Sequence, residues 1–165
     1  MGYFTGSAVF GAGEPHETRV TSVGVHDRFL ARYASDGQLS WLRRIAGHAI
    51  GSALAATEDG SVFAGGWFVD GVTLAPGECN ESRISTEGDR GIFLARYTDG
   101  GELVWSRAMI SDESDSVRSL VTHSDGTLLL AGALNGDLVL GAGEANETYL
   151  VSAEPHDVFM ARFWQ

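Results

Sequence analysis

Three pairs of glutamates have the types and spacing to do chemistry. They are Glu14 and Glu17 in Glu-Pro-His-Glu-Thr, Glu78 and Glu81 in Glu-Cys-Asn-Glu-Ser, and Glu144 and Glu147 in Glu-Ala-Asn-Glu-Thr. Two carboxylates three residues apart, with hydroxyl or amide oxygens beside them, offer the oxygen ligands that Ca²⁺ prefers. The spacing matches no established calcium loop, and no Asp-x-Asp-x-Asp-Gly is present. The plainer reading is that these side chains order surface loops through local hydrogen bonds. On that reading the chain takes no metal and no cofactor, with Ca²⁺ at the six glutamates as the alternative.

Histidines at 16, 26, 48, 123 and 156 raise the question of zinc or general-base catalysis. No two of them lie two or four residues apart, so no zinc pair is suggested. His26-Asp27 and His156-Asp157 are alike, and repetition argues for structure, since a catalytic residue is needed once. Gly-x-Ser-x-Gly and a phosphate-cradling glycine loop are both absent. The chain is therefore expected to be no enzyme, with no catalytic or cofactor-binding residues. Cys79 is the single cysteine and has no basic neighbour, so it reads as an ordinary loop residue. Asn80-Glu81-Ser82 and Asn146-Glu147-Thr148 match the glycosylation sequon and place both loops at the surface.

Charge narrows the partners. Eleven basic residues, all arginine, stand against 22 acidic ones, for a net charge of −11. Such a chain repels a phosphate backbone, so nucleic acid is not an expected partner. No apolar run approaches the roughly 18 residues of a membrane span, and no signal peptide is visible at the N-terminus. Hydrophobic content of 44% is enough for a packed core, and 22 glycines against three prolines suggest many tight turns.

The elements that position these residues are written three times. Asp27-Arg-Phe-Leu-Ala-Arg-Tyr33 returns as Gly91-Ile-Phe-Leu-Ala-Arg-Tyr97 and as Asp157-Val-Phe-Met-Ala-Arg-Phe163. Arg32, Arg96 and Arg162 mark the step, and Gly13-Glu14, Gly77-Glu78 and Gly143-Glu144 keep it. The step from the second repeat to the third is longer by two than the step from the first to the second. Trp41 and Trp105 are separated by the shorter step, Asp59-Gly60 and Asp125-Gly126 by the longer. The two extra residues therefore fall within the acidic run 111–116. A repeat of about 65 residues is the first organising fact.

The middle repeat sets the pattern. Ile50–Thr57 reads as a strand, Glu58–Ser61 as a hairpin turn, and Val62–Phe68 as a second strand bent at Asp70-Gly71 before Val72–Leu74. A long excursion from Ala75 to Arg90 follows. Ile92–Tyr97 is the third strand and Leu103–Met109 the fourth, giving a four-stranded antiparallel meander. No window shows helical spacing. On the third strand Phe93, Ala95 and Tyr97 point one way, Ile92 and Leu94 the other, so both faces ask for burial. A propeller blade held between neighbours has this need.

The pattern Phe-Leu-Ala-Arg-Tyr, Asp-Gly, then Leu39-Ser40-Trp41 or Leu103-Val104-Trp105 resembles the SBBP-type bacterial β-propeller repeat. The resemblance covers nearly the whole chain and implies a surface-exposed or secreted bacterial protein. The excursion between second and third strands is longer than the family pattern.

The expected fold is therefore all-β: a single partial β-propeller domain over 1–165, of about two and a half four-stranded antiparallel blades. Residues 1–48 make an incomplete blade, 49–110 a complete one, and 111–165 a blade lacking its last strand. Open blade faces would invite self-association, and the chain reads as a fragment of a longer propeller or a self-associating protomer. Arg32, Arg96 and Arg162 are expected in structural pairs with acidic or carbonyl groups, and Trp41 and Trp105 between blades. Tyr3 and Trp67 occupy equivalent positions and are candidates for stacking a ligand. The expected function is a non-catalytic binding or scaffold module with a protein or glycan ligand. A lectin-like carbohydrate binder is the first alternative. The second is a hydrolase or lyase, which would need Asp, Glu or His converging from different blades.

Overall fold

A computed structural model of the protein describes residues 1–24, 26–153 and 157–164, with the backbone alone at 87–89. The described chain is all-β and every strand pairing is antiparallel. The first repeat holds β1 (Gly2–Phe4), β2 (Ser7–Phe10), β3 (Thr18–Thr21) and β4 (Asp27–Tyr33). Then come β5 (Leu39–Ala56), β6 (Val62–Leu74), β7 (Ser82–Tyr97) and β8 (Leu103–Ser111). The third repeat holds β9 (Ser116–Thr122), β10 (Leu128–Leu134), β11 (Asp137–Leu140), β12 (Thr148–Val151) and β13 (Asp157–Phe163).

The expected meander of the middle repeat is present as β5–β6–β7–β8, with Asp59-Gly60 turning the first hairpin. The bend in β6 is a bulge: Asp70 takes a φ of 63°, and the register with β7 shifts between Val69 and Gly71.

Two elements differ from expectation. The strand expected at Ile50–Thr57 is the second half of β5, which runs unbroken from Leu39 to Ala56 across the expected boundary between residues 48 and 49. The excursion from Ala75 to Arg90 is not a loop throughout. From Ser82 it is already β7, and Ser82–Ser85 pair with Leu74–Gly71 to extend the hairpin. The same hairpin is built by β2 with β3 and by β11 with β12. Its purpose is visible in the register. Leu74, Thr73 and Val72 pair with Ile45, Ala46 and Gly47, the end of the first repeat's fourth strand. Leu140, Val139 and Leu138 pair with Met109, Ile110 and Ser111, the end of the second repeat's. The hairpins of the second and third repeats thus button each of them onto the repeat before. Hydrogen bonding therefore runs on across repeats, in an eight-stranded sheet ordered β1-β4-β5-β6-β7-β8-β11-β12. A three-stranded sheet β13-β10-β9 and the β2–β3 pair stand apart from it.

Packing follows from the alternation on β7. Phe93, Ala95 and Tyr97 enter one core with Leu30, Trp41, Ile45 and Phe68. Ile92 and Leu94 enter a second core with Phe63, Val117, Leu120, Leu128, Leu130 and Phe159. All five β7 side chains are fully buried. Burying such side chains contributes about 1.5–3 kcal/mol each, which makes the middle repeat the anchor of the molecule.

Small residues let the sheets pack this closely. Gly2, Gly66 and Gly132 lie directly across from Phe29, Phe93 and Phe159 in all three repeats. A Cβ on Gly66 would stand 2.1 Å from the Ile50 carbonyl oxygen and 2.8 Å from the Phe93 ring. A Cβ on Gly132 would meet Ser116 and Phe159 as closely. The ring covers the glycine, as glycines in strands often require.

Candidate functional site

The hairpin tips carry the six glutamates, and each pair divides its work. Glu17, Glu81 and Glu147 turn back on their own loops, accepting the backbone N–H of Gly13 at 2.8 Å, Gly77 at 2.7 Å and Gly143 at 2.6 Å. Two successive backbone turns complete each tip, such as Glu78 N–H to Ala75 O and Glu81 N–H to Glu78 O, both at 3.1 Å. The Gly13 N–H and then the Arg19 guanidinium hold Glu17 below the ordinary glutamate range; Gly77 and Arg83 do the same to Glu81. For Glu147 the Tyr149 hydroxyl is the larger cause and Gly143 the next.

The first glutamate of each pair reaches outward. Glu14 accepts the backbone N–H of Leu39 at 2.6 Å. Glu78 lies 3.5 Å from Arg43, and Glu144 pairs with Arg107. Arg43 and Arg107 hold equivalent places on the fourth strands of successive repeats, so this ion pair also links a hairpin to the preceding repeat. Among the described residues no group of three or more His, Cys, Asp or Glu is placed to hold a metal ion. Cys79 is exposed at the middle tip.

The repeated arginines sit beside turn carboxylates. Arg96 lies 3.6 Å from Asp59 and Arg162 lies 2.6 Å from Asp125, each the aspartate of its own repeat's Asp-Gly turn. Arg32 donates to the Gly60 carbonyl at 2.8 Å and pairs with Asp99 in the next repeat. Trp41 is buried in the first core, its Nε1 donating to Asp99 O at 2.8 Å. Trp105 is half-buried with its ring 5.8 Å from Phe63.

Tyr3 and Trp67 each carry a cationic neighbour. Arg28 lies 5.0 Å from the Tyr3 ring centre, with His26 edge-on at 5.7 Å; Arg90 lies 5.7 Å from Trp67. Tyr3, His26, Arg28, His48 and Ile50 line an open cleft of about 720 Å³. Burial lowers the pKa of Arg28, whose Nε donates to the Ala49 carbonyl. Trp67 stands behind His48, at 6.1 Å, and does not line the cleft. His156 lies outside the described residues.

Asp27, of the repeated His-Asp pair, has a structural place. It is fully buried, accepts the Val23 N–H at 3.1 Å and lies 3.8 Å from Arg44; Asp157 accepts from Ala153 in the same way. The His-Asp repetition was the signal for it. The acidic insertion is likewise structural: Asp115 is buried and accepts from Asn135 N–H and Ser111 Oγ, while Asp112 accepts from Asp137 N–H.

A second cleft, of about 690 Å³, opens between β8, the β11–β12 hairpin and β13. Met109, Leu140, Asn146, Thr148, Met160 and Phe163 are among its walls. β13 pairs only with β10 among the described residues, so its other edge is free. No family model matches the chain, and no curated protein matches it at a significant level.

Proposed function

We propose that the chain is a non-catalytic binding or scaffold module built of β-propeller blades, belonging to a larger surface or secreted bacterial protein. The observation that carries this reading is the burial of β7 on both faces. A blade seated between neighbours needs two dry faces, whereas a sheet in a two-layer sandwich needs one. The bacterial and extracellular parts rest on the resemblance of the Phe-Leu-Ala-Arg-Tyr and Leu-x-Trp motifs. The outer repeats present open faces: Val158 and Met160, which stand where Ile92 and Leu94 stand in the middle repeat, are 77% and 70% exposed. Light scattering coupled to size-exclusion chromatography tests the reading. Association above 17.5 kDa, reversed by Val158→Lys with Met160→Lys, is expected. A folded monomer at every concentration contradicts it.

A carbohydrate ligand is the second reading, favoured by the exposed Tyr3 ring beside Arg28 in the first cleft. Binding on a glycan array that Tyr3→Ala abolishes would establish it.

A further inference from the structure

We propose that the cleft between the first two repeats binds a carboxylate carried on a ring, the carboxylate seated on Arg28 and the ring stacked on Tyr3. The site lies at an internal junction, where Tyr3, His26 and Arg28 of the first repeat meet Gly47, His48, Ala49 and Ile50 of β5.

Arginine is out of place at position 28. Its repeat equivalents are Ile92 and Val158. Ile92 is fully buried in the second core, so the fold itself asks for an aliphatic side chain here. Arg28 stands instead half-buried in the cleft, its Nε donating to the Ala49 carbonyl. The Tyr3 ring lies against the guanidinium at 5.0 Å. Among the described residues no carboxylate comes within ion-pair distance of Arg28, whereas eight other arginines have one. A half-buried cation without a counter-charge is costly, and burial already lowers the pKa of this one. Its two terminal nitrogens make no hydrogen bond among the described residues. They present the fork that a carboxylate matches with two parallel bonds.

The next junction along is built differently. There Trp67 and Arg90 stand where Tyr3 and His26 stand in the first, and the acidic insertion reaches them, Arg90 donating to Ser114 Oγ at 2.8 Å. The first junction is shorter by two residues, and β5 crosses it directly. It does so through Gly47, whose φ is 117° and whose missing Cβ would lie 2.5 Å from the Gly71 carbonyl oxygen. The register then jumps from Gly47 opposite Val72 to Ala49 opposite Phe68, leaving His48 without a register partner and exposed. An irregularity of this kind re-aims a side chain, here into the cleft.

In a chain of net charge −11, no Asp or Glu among the described residues lines this cleft. Asp27, next to Arg28 in the chain, is buried and turned to the Val23 N–H and Arg44. The cleft therefore offers one arginine, two imidazoles and an exposed aromatic ring. Imidazole N–H groups can donate to a ligand hydroxyl or carboxylate, and the tyrosine face takes the flat side of a ring. A uronic acid and an aromatic acid share the chemistry that this arrangement selects. The inference rests on the binding-module reading and gives it a ligand class, an anion with a ring.

The test is an NMR titration of the full chain with glucuronate, benzoate, glucose and acetate, following the Arg28 Nε–H and the imidazoles of His26 and His48. The expected result is saturable shifts with at least one ring acid, and binding roughly tenfold or more weaker for glucose, for acetate and for the Arg28→Gln protein. Tighter binding of glucuronate assigns a sugar acid and tighter binding of benzoate an aromatic one; either supports the proposal. His48→Glu, at an exposed side chain, puts a carboxylate into the cleft and should weaken binding without lowering the melting temperature. It keeps the test decisive if Arg28→Gln fails to fold. Binding of neither ring acid overturns the proposal, as does glucose or acetate binding as tightly as the ring acids. Binding that His48→Glu leaves unchanged overturns it too. Such a failure leaves self-association, read by light scattering, untouched, so the two readings fail separately.

Discussion

Phe93 and Leu94 are neighbours in the chain and lie in different hydrophobic cores. Phe93 packs toward the first repeat and Leu94 toward the third, each with no exposed surface. Period-two alternation places them there, and two-sided burial makes both faces structural. The contrast with the outermost repeat is testable. Leu94→Ala should lose about 2–5 kcal/mol in urea unfolding, the range for emptying a buried leucine. Met160→Ala, at the equivalent but exposed position, should lose less than about 1 kcal/mol.

Gly66 carries no side chain because the Ile50 carbonyl and the Phe93 ring occupy the space. Gly66→Ala should cost about 1–3 kcal/mol, the range for overpacking a filled core. Combining it with Phe93→Leu should cost less than the sum of the two single changes, because the smaller side chain relieves the clash. Denaturant midpoints of the four proteins would show the coupling.

Tyr97 is fully buried and its hydroxyl has no hydrogen-bond partner. Burial, and then the nearby Glu78 charge, raise its pKa above the ordinary tyrosine value. The folded state therefore keeps a proton that the unfolded chain gives up, so stability falls as pH rises past the unfolded tyrosine value of about 10. Tyr97→Phe should flatten this alkaline loss and stabilise the protein by roughly 1 kcal/mol at neutral pH, since an unsatisfied buried hydroxyl is removed. The third repeat already has phenylalanine here, at Phe163. Urea midpoints between neutral pH and the alkaline limb decide it.

The acid limb depends on the turn-capping glutamates. Glu17, Glu81 and Glu147 all have pKa values lowered in the folded protein. Their contribution is present above the unfolded glutamate value and is lost as pH falls through the folded one. Carboxylate NMR titration should place all three below ordinary glutamate. Glu81→Gln should reduce the acid dependence of the urea midpoint, with little change at alkaline pH.

Much of this architecture was legible because the sequence states it three times. The Asp-Gly turns, the four strands of the middle repeat and the two faces of β7 all follow from local pattern. The hairpin buttons did not. The strands of the third repeat's hairpin are short, four residues each in β11 and β12, and the partner of Leu74 is Ile45, in the preceding repeat. Nothing local announces such a pairing, so glycine and glutamate at the tips read as loop. The division of labour between Glu78 and Glu81 was hidden for the same reason. Capping Gly77 is local, but reaching Arg43 depends on where another repeat lies.

Hydrogen exchange across the three equivalent strands tests the sandwiched middle repeat most directly. If β7 is closed on both faces, the amides of Ile92 to Tyr97 should exchange only by global unfolding, as the slowest in the chain. Those of Val158 to Phe163 in β13 should exchange faster, through local opening at the free edge. Equal or faster exchange in β7 than in β13 would contradict the account.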